Sequence, residues 1–144
     1  MSYQILILKK FELVLESKRS EIRKFEELLE KTNQEFGLEM EKFINFQIAC
    51  SEAIINSIVH GNKENENKKV YTRLEYDEVV LTVGIKDEGK GFDMNLLPDP
   101  TSKENLMKES GRGIFIMKSL VDEFHCKTSE NGTEFILIAK KGLA

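Results

Sequence analysis

Cysteine is scarce in this chain. Cys50 and Cys126 are the only two in 144 residues, too few and too isolated for a disulfide framework or a metal-ligand spacing, so a reducing compartment is expected. Proline is equally rare, and Pro98 and Pro100 fall together in one short stretch. No run approaches the roughly 18 apolar residues that a membrane span requires. The segment Tyr3 to Leu8 is short, is followed by Lys9 and Lys10, and lacks a small-residue cleavage site, so no signal peptide is expected and the cytoplasm is indicated. Positive charge is not in excess: 21 basic against 25 acidic side chains give a net charge of -4. That balance argues against a nucleic-acid module held mainly by phosphate contacts, while leaving room for a local basic patch. Internal repeats and low-complexity linkers are missing too.

What is present suits one globular domain. The length is close to one domain per roughly 150 residues, and 40% of the residues are hydrophobic. A chain of this size buries about 68 to 70% of its unfolded surface, so neither disulfides nor a structural metal is needed for stability. A single domain over 1–144 is expected.

The periodicity divides this domain into elements. Tyr3 to Glu16 is apolar and reads as one long or two short strands, whose edge will need covering or pairing. From about Ser20 the period becomes helical, with Ile22, Phe25, Leu28, Leu29, Thr32 and Phe36 on one stripe and Gly37 as the C-cap. A second helix is expected from about Glu39 to His60, its apolar positions including Phe43, Ile44, Ile48, Ile54, Ile55 and Ile58, and Gly61 stops it. The polar run Gly61 to Lys69 reads as a surface connection. Strands are expected at Val70 to Tyr76 and Val79 to Asp87, joined by Asp77 and Glu78. After Gly91 the pattern dissolves, and it returns as a short helix from Gly113 to Val121. Strands at about Glu123 to Thr128 and Thr133 to Lys140 flank Asn131-Gly132, a two-residue hairpin signal. The fold class expected is α+β: a two-layer sandwich with a mixed, mostly antiparallel sheet and its helices on one face.

Four places can carry chemistry. Glu52, Asn56 and His60 are spaced i, i+4, i+8, which aligns them on one helix face about 5 to 6 Å apart. They are either a solvated polar stripe or a working site. In the second case Asn56, a poor helix former among isoleucines, offers a neutral oxygen to Mg²⁺, which takes few protein ligands, and Glu52 is placed to accept a proton from an attacking hydroxyl. Asp87-Glu88-Gly89-Lys90-Gly91 ends an apolar strand. It is an ordinary glycine-rich turn or a site where a carboxylate accepts from an exocyclic amine while Gly89 and Gly91 let the backbone approach a flat ligand. Ser110-Gly111-Arg112-Gly113-Ile114 leads into a helix. It is a hinge or an anion site with unpaired N–H groups and a guanidinium fork. Thr133 opens the last strand and can lend its hydroxyl to a ligand near Asp87, although threonine is simply a good strand former. His125 and Cys126 are read as structural. Neither a Walker P-loop nor a Gly-x-Gly-x-x-Gly after a strand occurs.

In this order the pieces resemble a known set. Glu52-Ala53-x-x-Asn56-x-x-x-His60-Gly61, then Asp87-x-Gly89-x-Gly91, then Gly111-Arg112-Gly113-Ile114 are similar to the N box and the two glycine boxes of the GHKL ATPase superfamily of gyrase, Hsp90, histidine kinases and MutL. ACSEAIINSIVHGNKEN, PDPTSKENLMKESGRGIFIMKSLVDEF and NGTEF resemble its small branch of anti-sigma factor serine-protein kinases. The resemblance covers about Phe11 to Lys141 and leaves 1–10 as an extra segment. It implies the Bergerat-type ATP-binding fold, ATP and Mg²⁺ as cofactors, and phosphorylation of a serine on an anti-anti-sigma (STAS) partner. It also implies sequestration of a sigma factor and homodimers. By that resemblance Glu52 is the general base, Asn56 the Mg²⁺ ligand with His60 beside it, and Asp87 the adenine contact. Gly89, Gly91 and Thr133 shape the adenine pocket, and Ser110, Gly111, Arg112, Gly113 and Ile114 lie at the phosphates, at the base of a lid over 95–110. Where some members carry an arginine before the Ser-Gly, this chain has Glu109, with Lys108 and Arg112 as nearby cations. A nucleotide-gated switch without phosphotransfer and a stand-alone ATPase are the alternatives. A histidine kinase would need a further helix pair bearing its phospho-acceptor.

Overall fold

The computed structural model describes residues 8–91 and 109–142, the side chains of 109–112 excepted. Five strands form one sheet in the order β1-β2-β3-β5-β4, where β1 is Lys9–Glu16, β2 Lys69–Tyr76, β3 Val80–Lys86, β4 Glu123–Ser129 and β5 Gly132–Lys140. Every pairing among these strands is antiparallel, so the sheet is not mixed but purely antiparallel over the described residues. Helices α1 (Ile22–Phe36), α2 (Met40–Ile55) and α3 (Glu109–Ser119) pack on one face, giving the expected two-layer α+β sandwich.

The period-2 alternation of the strands builds the core. Val70, Leu74 and Tyr76 of β2, Leu81, Val83 and Ile85 of β3, and Phe135, Leu137 and Ala139 of β5 are buried toward the helices, each large apolar side chain worth about 1.5 to 3 kcal/mol. On the opposite face Arg73 lies flat across Gly84, where an added Cβ would meet its Nη1 at 1.7 Å, and it reaches Glu134 (3.2 Å) and Glu75 (3.4 Å).

Gly37 caps α1 as expected, with φ 85° and its N–H on the Asn33 carbonyl. The apolar positions of the second helix are not all buried. Phe46, Ala49, Cys50, Ala53 and Ile54 face the core, while Ile44 and Ile48 are 47% and 45% exposed. Small side chains let α2 sit close to the sheet and leave the isoleucines outside. The regular helix also ends earlier than expected. Asn56–Gly61 is a π-helical turn, in which the Asn62 N–H bonds the Ser57 carbonyl at 2.8 Å.

Two other expectations shift. Register pairs Ser129 with Gly132, so the hairpin loop is Glu130-Asn131 and Gly132 begins β5 with φ 131°. Neither loop residue has positive φ, unlike the type I′ turn expected of Asn-Gly. Helix α3 begins at Glu109, so Ser110 to Gly113 lie inside its first turns rather than ahead of it. Residues 1–7 and 92–108, which hold most of the extra N-terminal segment and nearly all of the expected lid, lie outside the described residues. No helix among the described residues is long and apolar enough to cross a membrane.

Candidate nucleotide site

The buried carboxylate of Asp87 anchors one end of the site. β3 ends at Lys86 and carries Asp87 to the interior, 2% exposed, beside the start of β5. Its Oδ1 accepts the N–H groups of Gly89 (2.9 Å) and Thr133 (3.0 Å), and its own N–H donates to the Thr133 carbonyl at 3.0 Å. No bond to Oδ2 is made among the described residues, so that atom remains an acceptor for a ligand. Burial raises the carboxyl above the usual aspartate range, against the opposing pull of the Gly89 and Thr133 N–H groups and the Lys68 charge. A carboxylate held in this way suits a neutral donor such as an exocyclic amine.

Three glycines press against Asp87 and its turn. A Cβ on Gly61 would lie 2.1 Å from Asp87 Oδ2, one on Gly132 would lie 2.2 Å from the Asp87 carbonyl, and one on Gly89 would lie 2.2 Å from the Gly61 carbonyl. The π turn makes the first of these contacts. Its extra residue widens the helix and brings Gly61 down onto the carboxylate, a distortion of the kind that recurs at functional sites.

The other end is built from side chains. Asn56, 8% exposed, donates from Nδ2 to the backbone carbonyl of Glu52 at 3.1 Å, which leaves its Oδ1 as a neutral acceptor. Helix α3 packs on α2 so closely that a Cβ on Gly113 would meet Asn56 Nδ2 at 2.5 Å and Glu52 Oε2 at 3.5 Å. The two N-box residues and the second glycine box therefore meet at one point, as their order along the chain suggested.

Between the ends lies a cavity of about 520 Å³ lined by Asn56, His60, Gly61, Asp87, Gly91, Ile114 and Thr133 among others. Its size lies within the range of small-molecule sites. Glu52 is not among the lining residues, and the side chains of Ser110 and Arg112 lie outside the description. Lys63, Lys68, Lys90 and Phe135 also line it, none of them a candidate from the sequence. Lys63 and Lys68 belong to the polar run read as a plain surface connection. The one signal was its lysine content, since nothing in the run marks the left-handed backbone of Lys63 and Glu64, φ 53° and 56°. A metal held wholly by protein carboxylates, thiols and imidazoles finds no cluster of three such groups among the described residues.

A model of the histidine kinase-like ATPase domain matches residues 15–139. The chain belongs to that family. It is the GHKL-type domain expected from the three boxes, and the relatives sharpen the placement. The chain is 33% identical over 105 residues to a Clostridium novyi protein named anti-sigma F factor, covering 70% of this chain and 73% of that one. It is 35% identical over 98 residues to the Bacillus subtilis protein of the same name, covering 65% and 66%. Among solved structures, the RsbU and RsbW domains of a Mycobacterium tuberculosis protein superpose with TM-score 0.67 at 15% identity, over 91% of this chain and 31% of the other. This chain thus spans about a third of that protein. A histidine kinase domain from Erythrobacter litoralis superposes with TM-score 0.56 at 15% identity, over 84% of this chain and 59% of the other. Both structures share the fold, and membership of the family implies that the domain binds ATP.

Proposed function

We propose that this chain is a Mg-ATP-dependent anti-sigma factor kinase, phosphorylating a serine of a STAS-type anti-anti-sigma protein and sequestering a sigma factor. The observation that carries the reading is the cavity itself. One end presents a buried carboxylate acceptor, and the other presents a neutral amide oxygen next to the first turns of a helix. Base and triphosphate of ATP are recognised by those two chemistries respectively. Mg²⁺ fits the second end, because an asparagine oxygen leaves the remaining positions to phosphate oxygens and water. When bound, the metal neutralises charge on the phosphates. Glu52 accepts the proton of the serine hydroxyl as its oxygen bonds to the γ-phosphorus and the bond to the ADP leaving oxygen breaks. The names of the relatives support the sigma-factor reading, and the outer edge of β1, which no strand pairs among the described residues, supports a homodimer.

A second reading draws on the place of Glu52 outside the cavity lining. There, ATP sets partner affinity and nothing is transferred, or water takes the phosphoryl group. Labelled ATP with a candidate STAS protein separates these. Transfer to serine is expected, and Glu52→Gln lowers its rate by about 10² to 10⁴ while ATP binding survives. Release of phosphate to water, or ATP-dependent pull-down of a sigma factor with no labelled partner, favours the second reading.

A further inference from the structure

A heavily bonded side chain near the cavity lies just past the N box, among residues to which the sequence assigns no role. Asn62, the residue after the π turn, is 1% exposed. Its Oδ1 accepts the N–H of Glu88 at 2.8 Å. Its Nδ2 donates to Ser17 Oγ and to the carbonyl of Lys69, both at 3.0 Å. One amide therefore ties together the turn after β3, the start of β2 and the end of β1. The arrangement is polar in a fixed sense, because a donor faces one side of the amide and a carbonyl faces the other. Neither a carboxylate nor an apolar isostere satisfies both. Two bonds brace it: Ser17 Oγ donates to the Lys68 carbonyl (2.6 Å), and the Lys69 N–H donates to Glu88 Oε2 (2.6 Å).

The neighbours of Asn62 in the chain give this frame a purpose. Gly61 rests on the Asp87 carboxylate, and Glu88 directly follows Asp87. Asn62 grips the backbone on both sides of the contact, so it fixes the position of Asp87 Oδ2 relative to the cavity. We propose that Asn62 is a positioning residue for base recognition, holding the Asp87 carboxylate at the height from which it accepts an exocyclic amine. The inference rests on the nucleotide reading of the cavity and extends it to a residue outside the boxes.

The test compares ATP with inosine triphosphate, which differs at the base position where Asp87 acts by carrying a carbonyl in place of the amine. Binding is measured by calorimetry for the wild type, Asn62→Asp and Ser17→Ala, with the fold of each checked by circular dichroism. Asn62→Asp keeps the acceptor for Glu88 and turns an oxygen toward the Lys69 carbonyl. Its ATP affinity is expected to fall about 10- to 100-fold with little change for inosine triphosphate, so the preference for ATP collapses. Ser17→Ala removes one of the two Nδ2 acceptors and should narrow the preference several-fold. Should Asn62→Asp not fold, Ser17→Ala decides. An unchanged preference in the folded variants, or an equal loss for both nucleotides, overturns the proposal. A wild type that binds neither nucleotide, or binds both equally, instead removes the base-recognition reading on which it stands.

Discussion

The two ends of the cavity are made in different ways. At the Asp87 end, backbone meets backbone and carboxylate: Gly61, Gly89 and Gly132 leave no space for a single carbon, and Asn62 locks the turn from behind. At the Asn56 end, the close approach of Gly113 is to the tip of a side chain, and the groups that matter, Glu52 and Asn56, stand on α2 and on the π turn that continues it. A base is a rigid plane whose recognition needs a rigid frame. A phosphate chain that must be approached by a reacting group is better served by side chains that can yield. Substitutions at the first end are therefore expected to cost the fold, and those at the second the ligand.

The strongest test of this contrast is Gly132→Ala. Its φ of 131° and the 2.2 Å approach to the Asp87 carbonyl combine backbone strain with a clash that no side-chain rotation relieves. A loss of about 3 kcal/mol or more is expected in a denaturant titration.

Asp87→Asn separates fold from ligand within the same end. ATP affinity should fall about 10- to 100-fold by calorimetry, because Oδ2 gives way to a donor that faces a donor. Stability behaves oppositely. The folded carboxyl titrates above its unfolded value, so the folded protein binds the proton more tightly. That contribution is complete below the ordinary aspartate value of about 3.9 and is lost as pH rises through the folded one. Wild type without nucleotide is therefore expected to be no more stable than Asp87→Asn at pH 7, and relatively more stable as pH falls toward 4.

At the other end, Gly113→Ala displaces the Asn56 amide while improving helix propensity by up to about 1 kcal/mol. Its melting temperature should hold or rise as Mg-dependent ATP affinity drops several-fold. A collapse of the fold here would erase the contrast. The smallest effect belongs to Thr133→Val, which removes only the hydroxyl contact with Thr128 (3.0 Å). A loss of about 1 kcal/mol or less in stability is expected by thermal melt, with a small change in ATP affinity.

Much of this was legible in the residues. Strand alternation in β2, β3 and β5 placed the sheet, Gly37 placed the end of α1, the boxes singled out Asn56, Asp87 and Gly113, and the start of the last strand singled out Thr133. What escaped the sequence was set by close approach. Ala49, Cys50 and Ala53 won the buried face of α2 over Ile44 and Ile48 because small residues admit the sheet, and hydrophobicity alone points the other way. The π turn left no trace, since Asn56 to Gly61 reads as the ordinary last turn of a helix. Asn62 looked like one more polar residue in GNKENENKK, and only the tertiary fold shows that it is buried. The hairpin was found one residue out of register because the close contact with Asp87, not the turn type, determines where Gly132 stands.

The π turn also bears on how this chain tolerates change in length. Each residue of an α-helix advances it by about 100°, and the turn amounts to one residue inserted into α2. Deleting any single residue between 56 and 61 would let the helix close into regular geometry and swing everything after it by that angle, carrying Gly61 off the carboxylate and Asn62 out of its frame. Residues 63–67, which follow Asn62, are exposed, and at such surface positions chains usually gain and lose residues freely. Between the two lies a boundary a residue or two wide, on one side of which length is free and on the other fixed by the contact of Gly61 with Asp87.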